Sequence, residues 1–155
     1  MRKKRAGSRV AKPDPKYNDP LVSAFINCVM KEGKKHLARR LMYDAFSIIE
    51  ERTKANGIDV FKKALSNTRP VLEVKARRVG GATYQVPTEV RSSRSVALAI
   101  RWLIGYANDR KDKSMSQKLA AEFIAASNGE GNAIKKKEDT NKMAEANKAF
   151  AHFKW

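Results

Sequence analysis

The sequence contains one cysteine and two histidines, and these small numbers exclude several kinds of site. Cys28 cannot form an internal disulfide, and with only His36 and His152 beside it no group has the spacing of a structural metal site. The chain also lacks the 18 or so consecutive apolar residues of a transmembrane helix, and its N-terminus lacks the apolar run of a signal peptide. We therefore expect a cytosolic protein whose fold depends neither on oxidation nor on metal.

Acidic residues are also scarce. The 155 residues include 16 Asp and Glu against 33 Lys and Arg, which gives a formal net charge of +17. A chain of this length usually forms one domain with one core. A charge of this size destabilises an isolated protein by self-repulsion, and a polyanionic partner relieves that repulsion. Nucleic acid is therefore the first partner to consider.

The positive charge is most concentrated in residues 1–17. This segment contains a single acid, Asp14, and few apolar residues, so it cannot bury a core of its own. Its basic residues are Arg2, Lys3, Lys4, Arg5, Arg9, Lys12 and Lys16. We expect an extended arm over residues 1–17 that becomes ordered on a partner, followed by a helical domain over residues 18–155. The alternative is a solvated tail that only keeps the protein soluble.

Apolar residues recur at helical spacing through most of the remaining chain, and caps and breakers divide it into helices. Asp19 followed by Pro20 is a typical helix start, and Ser114 with Gln117 predicts a capping box. The predicted helices cover about 19–32, 34–56, 59–68, 93–108, 114–128 and 133–150, and Asn56-Gly57 is predicted to end the second of them. The last of them has only a thin apolar seam, formed by Met143, Ala146 and Phe150, so we expect its end to dock loosely or to meet another macromolecule.

Between residues 71 and 90 the pattern changes to alternation with period two around Gly80 and Gly81, which predicts a β-hairpin. If the glycines form a two-residue loop, Arg77 lies opposite Tyr84 and Lys75 opposite Val86. An isolated hairpin is only marginally stable, so flanking helices must fix its base. The predicted fold is mainly α: a single domain of about six helices with one protruding two-stranded β-hairpin.

No residues present themselves for catalysis or for a cofactor. Cys28 lies within the apolar run of the first helix, where a small buried hydrophobe is expected. His36 lies on an exposed or phosphate-facing part of the second helix, and Gly80–Gly81 lacks the lysine and the helix of a phosphate loop. We therefore predict a protein that is not an enzyme and that binds no cofactor or metal.

Three blocks of the sequence resemble one known family. The first block has Asp19-x-Leu21, Phe25-Ile26, Gly33-Lys34-Lys35, Leu41-Met42 and Ala45. The second is Arg69-Pro-Val-Leu-Glu-Val-Lys-Ala-Arg-Arg-Val-Gly-Gly-Ala-Thr-Tyr-Gln-Val-Pro87, and the third runs from Glu138 to Trp155. In this order and at these spacings, the blocks resemble the bacterial-type small-subunit ribosomal protein seven family over nearly the whole chain.

The chain differs from that family just after the hairpin. The family often has proline after the arginine at this point, whereas Arg91 is followed here by Ser92 and Ser93, so the start of the fourth helix is predicted only to within a residue or two. The long N-terminal extension of archaeal and eukaryotic relatives is absent, which indicates a bacterial or organellar ribosome.

The resemblance implies a structural constituent of the small ribosomal subunit. Such a protein binds the 3′ major domain of the ribosomal RNA directly, nucleates assembly of the head and lies near the exit site for transfer RNA. The implied partners are this RNA, exit-site transfer RNA, messenger RNA, and the small-subunit ribosomal proteins nine and eleven. The resemblance implies no membrane and no small-molecule substrate.

The resemblance also implies which residues contact RNA. The implied ribosomal-RNA contacts are Arg2, Lys3, Lys4, Arg5, Arg9, Gly33, Lys34, Lys35, Arg91, Arg94, Arg101, Lys113, Ser114 and Met115. The hairpin would face transfer RNA and messenger RNA through Arg77, Arg78, Gly80, Gly81 and Tyr84. The C-terminal helix would make contacts through Lys142, Met143 and Phe150.

Two alternatives remain open at this stage. The rings of Tyr84 and Trp102 either stack on unpaired bases or pack within the protein, and packing is favoured for Trp102. A basic hairpin on a helical body is also found in proteins that bend DNA through the minor groove. Those proteins insert an apolar or proline wedge at the tip, and the tip here is Val79-Gly80-Gly81-Ala82, which argues against that function.

Overall fold

The computed structural model describes residues 12–153, in which six α-helices, one two-stranded sheet and a terminal 3₁₀ helix follow one another. The helices are α1 (Pro20–Val29), α2 (Lys35–Thr53), α3 (Gly57–Thr68), α4 (Ser92–Asn108), α5 (Met115–Ser127) and α6 (Asn132–Ala146). The antiparallel strands β1 (Leu72–Val79) and β2 (Ala82–Glu89) lie between α3 and α4 in sequence, and the 3₁₀ helix covers Lys148–Phe153. The predicted class, mainly α with one β-hairpin, is confirmed.

Contacts divide the chain into two compact units, and the boundary lies inside α2 between Arg40 and Leu41. In the first unit, a folded turn precedes α1. Asp14 is 2% exposed, and its Oδ2 accepts hydrogen bonds from the backbone N–H groups of Lys16 and Tyr17 at 3.1 and 3.2 Å. Residues 14–17 are therefore folded, at the end of the segment 1–17 that the sequence assigns to the arm.

Helix α1 begins where the sequence predicts. Asp19 Oδ1 accepts a hydrogen bond from the Leu21 N–H group at 2.7 Å, and Pro20 occupies the first helical position. The predicted end near Glu32 is wrong, because α1 ends at Val29. Glu32 and the glycine after it take positive φ angles of 52° and 73°, and a right-handed helix contains no such residues.

The prediction that Cys28 is buried is also wrong, because Cys28 is exposed. The buried face of α1 contains Val22, Phe25 and Ile26. Each helical residue is rotated by about 100° from the one before, so Cys28 lies about 200° around the helix from Ile26. Relative to Phe25 it lies about 60° around the helix, on the side away from Ile26, so Cys28 is beyond the edge of the buried face.

The second unit begins at Leu41 and has a core built around three phenylalanine rings. The ring of Phe61 on α3 lies 5.8 Å from that of Phe46 on α2 and 5.3 Å from that of Phe123 on α5, measured between centroids. All three residues are fully buried. Further buried side chains are Met42, Ile49, Leu65, Ile100, Leu103 and Leu119. The end of α2 and the helices α3, α4 and α5 therefore share one core.

Gly57 has a role that the sequence analysis missed. Asn56 and Gly57 were predicted to end the second helix, but α2 ends at Thr53, and Asn56 instead caps α3 by accepting a hydrogen bond from the Ile58 N–H group. Gly57 is the first residue of α3, and a Cβ atom there would lie 2.8 Å from Phe46 Cβ. Glycine thus allows α3 to start against the backbone of α2.

The predicted course of the last helix is also corrected. Helix α6 ends at Ala146 and not at Phe150, which belongs to the 3₁₀ helix. The predicted seam is wrong too, because Met143 and Ala146 are exposed. The buried face of α6 consists instead of Ala133, Ile134, Thr140 and Ala144. Small side chains allow α6 to approach the rest of the second unit without a wide apolar stripe.

Candidate nucleic-acid interface

Three arginines lie on the outer side of α4. Arg91 is the N-cap residue, and Arg91, Arg94 and Arg101 are all exposed. Seven residues separate Arg94 from Arg101, which is about two helical turns, so both lie on one side of the helix. The opposite side of α4 is buried in the core of the second unit through Ala99, Ile100, Leu103 and Ala107. Core packing therefore determines which side of α4 carries the guanidinium groups. Trp102 lies between the buried and the exposed side of the helix and is partly buried.

The hairpin has the predicted register. Arg77 lies opposite Tyr84 and Arg78 opposite Thr83, with a two-residue loop of Gly80 and Gly81. The glycines have φ angles of 57° and 90°, and a two-residue loop of this kind needs positive φ at both positions. Arg77 and Arg78 are exposed. The predicted register and the predicted two-residue loop are confirmed, and the two glycines allow the positive φ angles of the turn.

The ring of Tyr84 packs within the protein. It lies 5.2 Å from the ring of Phe150, centroid to centroid, at an interplanar angle of 49°, and Tyr84 is half-buried. Tyr84 therefore has a packing partner within the protein. Phe150 therefore joins the 3₁₀ helix to β2, whereas Lys142 and Met143 on α6 are exposed.

The base of the hairpin is attached to the helices on both sides, as its marginal stability requires. Arg69, the C-cap residue of α3, donates hydrogen bonds to Ser92 Oγ at 3.0 Å and Ser95 Oγ at 3.4 Å. Ser95 Oγ in turn donates to the carbonyl of Pro70 at 2.8 Å. Helix α4 starts at Ser92, and the Ser92 hydroxyl group accepts a hydrogen bond from Arg69 at the end of α3.

Glu73 is a member of this site that sequence reasoning missed. It lies on β1, is 8% exposed, and contacts Arg94 on α4 and Lys75 on its own strand. Burial raises the pKa of the Glu73 carboxyl group, but hydrogen bonds and positive charges from Arg94 and Lys75 outweigh that effect and hold the pKa below its usual value. The only signal in the sequence is a carboxylate within a basic strand, and its partner on α4 is 21 residues away.

The start of α5 carries the predicted capping serine. Ser114 Oγ accepts a hydrogen bond from the Gln117 N–H group at 3.3 Å, as the capping box predicts. Lys113 is exposed, and Met115 is partly buried. Of these three predicted RNA contacts, Lys113 therefore offers an exposed cation, while the Ser114 hydroxyl group already caps α5.

In the first unit, a basic turn precedes α2. Gly33 has a φ angle of 73°, and both Lys34 and Lys35 are exposed. Lys34 forms an ion pair with Glu32, and both side chains are largely exposed. Exposed pairs of this kind contribute about 1 kcal/mol or less, so Lys34 remains available to a stronger anion. The other predicted contacts before α1 are Arg2, Lys3, Lys4, Arg5 and Arg9, which lie outside the described residues.

A metal cluster or a membrane-spanning helix within residues 12–153 would indicate another kind of function. No group of three or more His, Cys, Asp and Glu side chains in this range is placed to hold a metal ion. No helix in the same range is long and apolar enough to cross a membrane.

A helical body with exposed arginines and a basic hairpin is typical of a nucleic-acid-binding protein. Comparison with known proteins defines the family. A model of the family described as Ribosomal protein S7p/S5e matches residues 1–148, and the chain belongs to this family. The family consists of structural proteins of the ribosome and not of enzymes.

Individual relatives are similar over nearly their whole length. The chain is 60% identical over 154 residues to the small ribosomal subunit protein uS7 of Gemmatimonas aurantiaca, which covers 99% of each chain. It is 58% identical to the protein of the same name from Salinibacter ruber, over 95% of this chain and 94% of the relative. The corresponding protein of Magnetococcus marinus is 58% identical over 99% of each chain.

Proposed function

We propose that this ribosomal protein binds the 3′ major domain of small-subunit ribosomal RNA directly and nucleates assembly of the head. The observation that carries the proposal is the placement of Arg91, Arg94 and Arg101 on the exposed side of a helix whose other side is core. Because the core holds α4 rigidly, the backbone that carries these cations does not have to be ordered when RNA binds.

The mechanism follows from the shape of RNA. A-form duplexes hide the base edges of their deep major groove, so proteins recognise them mainly through shape, phosphates and 2′-hydroxyl groups. An arginine contacts two phosphate oxygens at once through its planar guanidinium group, which a lysine cannot do. Arg91, Arg94 and Arg101 would therefore bind the backbone at a junction of RNA helices and make few base-specific contacts.

The hairpin and the C-terminal region would serve other partners near the transfer-RNA exit site. We infer that Arg77 and Arg78 face exit-site transfer RNA and messenger RNA, because both are exposed beside the glycine loop. The small-subunit ribosomal proteins nine and eleven are the proposed protein partners, and exposed Lys142 and Met143 support a contact through α6. The packed pair of Tyr84 and Phe150 would hold these two regions together.

The proposal is tested by RNA affinity measured over a range of salt concentrations. We expect tight binding to a fragment of the 3′ major domain, a steep loss of affinity as salt rises, and much weaker binding to an unrelated RNA duplex or to duplex DNA. Equal affinity for the three nucleic acids at physiological salt would contradict the proposal.

A pair of matched variants tests the surface itself. Arg101→Ala removes a cation from the outer side of α4, and Arg52→Ala removes another exposed arginine, from the end of α2. Arg101→Ala should weaken binding and lower the salt slope by about one unit. Arg52→Ala should leave both quantities nearly unchanged. Equal effects of the two variants would show that only net charge matters.

A further inference from the structure

A buried carboxylate joins the hairpin to α4. Glu73 on β1 is 8% exposed, and its Oε2 and Oε1 atoms accept hydrogen bonds from Arg94 Nε at 2.8 and 3.0 Å. Lys75 Nζ lies 3.0 Å from Glu73 Oε1. The single negative charge of Glu73 therefore pairs with two cations, Lys75 on the hairpin and Arg94 on α4.

The hairpin does not need this carboxylate in order to form. Its backbone ladder runs from the Leu72–Glu89 pair to the Val79–Ala82 pair, and a further bond joins Val90 N–H to the carbonyl of Val71 at 2.9 Å. Glu73 adds a connection between the hairpin and the side chain of Arg94. The loss of Glu73 should therefore free the side chain of Arg94 and leave the pairing of the hairpin intact.

A carboxylate at this place opposes the attraction between the protein and RNA. Its negative charge repels phosphate and reduces the positive potential of the cations beside it. Burial of the charge also costs free energy, which the two ion pairs must offset. A neutral residue would fill the same space without either penalty. The position of Glu73 between two cations is therefore explained best by an effect on those cations.

That effect is on the freedom of the Arg94 side chain. Both hydrogen bonds to Glu73 start from Nε, and the side chain remains 53% exposed. The terminal nitrogens, which carry four of the five N–H donors of a guanidinium group, have no hydrogen-bond partner among the described residues. A guanidinium group held at one edge loses less conformational entropy when its other donors bind an anion.

We propose that Glu73 is a positioning residue for RNA binding: it fixes the guanidinium group of Arg94 before RNA arrives. The proposal rests on the proposed function, because it takes the outer side of α4 as the surface that contacts ribosomal RNA. It assigns no direct RNA contact to Glu73 itself.

Glu73→Gln and Glu89→Gln provide a matched test, because both lie on the hairpin and each raises the net charge by one. Glu89 is exposed and makes no ion pair among residues 12–153. Added positive charge alone strengthens binding to RNA, so Glu89→Gln should bind the 3′ major domain fragment as tightly as the parent protein or more tightly. Glu73→Gln should bind about three- to tenfold more weakly, since one side chain must then be ordered on binding.

A double-mutant cycle separates positioning from general damage. In the Arg94→Ala background, Glu73→Gln should cause no further loss of affinity, because the group that it positions is already absent. Hydrogen exchange of the β1 and β2 amides in the free protein should show that the ladder is intact. An undiminished effect in the Arg94→Ala background would overturn the proposal.

If Glu73→Gln does not fold, Arg94→Lys and Arg101→Lys decide the question without any change of net charge. Both lose the planar fork, but only Arg94→Lys also loses the fixed orientation, so it should bind more weakly than Arg101→Lys. Equal losses, or equal binding by the two glutamine variants, would refute the positioning role. The proposed function would stand in either case, provided that the parent protein prefers the 3′ major domain fragment to an unrelated duplex.

Discussion

Arg110 and Glu122 form an ion pair inside the second unit, with Arg110 Nε 2.7 Å from Glu122 Oε2 and Glu122 only 1% exposed. The other carboxylate oxygen accepts a hydrogen bond from the Ala133 N–H group at 3.3 Å. This bond supplies a cap for α6, whose own N-cap residue, Gly131, has no side chain to provide one. One carboxylate on α5 therefore connects the segment after α4 to the start of α6.

The first prediction concerns this pair. Arg110→Ala should lower the free energy of unfolding by about 3 kcal/mol, because it leaves a buried carboxylate without its cation. Glu122→Ala should cost a similar amount, and the double variant should cost clearly less than the sum of the two. Denaturant unfolding measures all three, with Glu130→Ala as an exposed control. Strictly additive losses would show that the pair is not coupled.

The second prediction compares two helical glycines. Gly57→Ala should destabilise the protein by about 1–3 kcal/mol, because the new methyl group meets Phe46 at 2.8 Å. Gly105→Ala should stabilise it by about 0.5–1 kcal/mol, since Gly105 is exposed within α4 and no atom lies within 4 Å of the added group. Thermal unfolding measures the stability of both variants. The prediction would be contradicted if both variants were more stable than the parent protein, or if both were less stable.

The third prediction concerns pH. The pKa of Glu73 is lower in the folded protein than its usual value, so its ionised form stabilises the fold at every pH above the pKa of the unfolded chain. That stabilisation is lost as the pH falls through the folded pKa. The stability difference between the parent protein and Glu73→Gln should therefore be largest near neutral pH and decrease in acid. A difference that stays constant on acidification, measured by denaturant unfolding, would rule out the Arg94 and Lys75 pairing in solution.

The fourth prediction concerns the N-terminal arm. Deletion of residues 2–10 should weaken binding to ribosomal RNA, because it removes Arg2, Lys3, Lys4, Arg5 and Arg9. The melting temperature of the free protein should change little, since the sequence of the arm contributes phosphate contacts and no core. Calorimetry and a binding assay on the same preparation check both parts. A melting temperature lower by several degrees would show that the arm belongs to the fold.

Local signals in the sequence predicted several elements correctly. Asp19 and Ser114 cap the helices that they were expected to cap, and Gly80–Gly81 forms the two-residue loop that sets the hairpin register. These features depend on residues close together in the chain, whose chemistry acts over one turn. The exposure of Arg94 and Arg101 also agrees with the sequence, because the apolar stripe of α4 specifies its buried side.

The roles of Gly57 and Glu73 were missed because each depends on a partner distant in the sequence. Gly57 was predicted to end a helix, but its position against Phe46 makes it the start of the next one. Glu73 was overlooked because its partner Arg94 lies beyond the whole hairpin.

The sequence by itself determined the surplus of cations, the helical class, the hairpin with its register and the motifs that identify the family. Charge, periodicity, caps and turns are properties of the local chain, so they can be read before the chain is folded. Only the tertiary structure decided which polar groups are paired with one another. Tyr84 meets Phe150, and Glu73 holds Arg94, because packing brings distant segments within the few ångströms over which ring contacts and hydrogen bonds act.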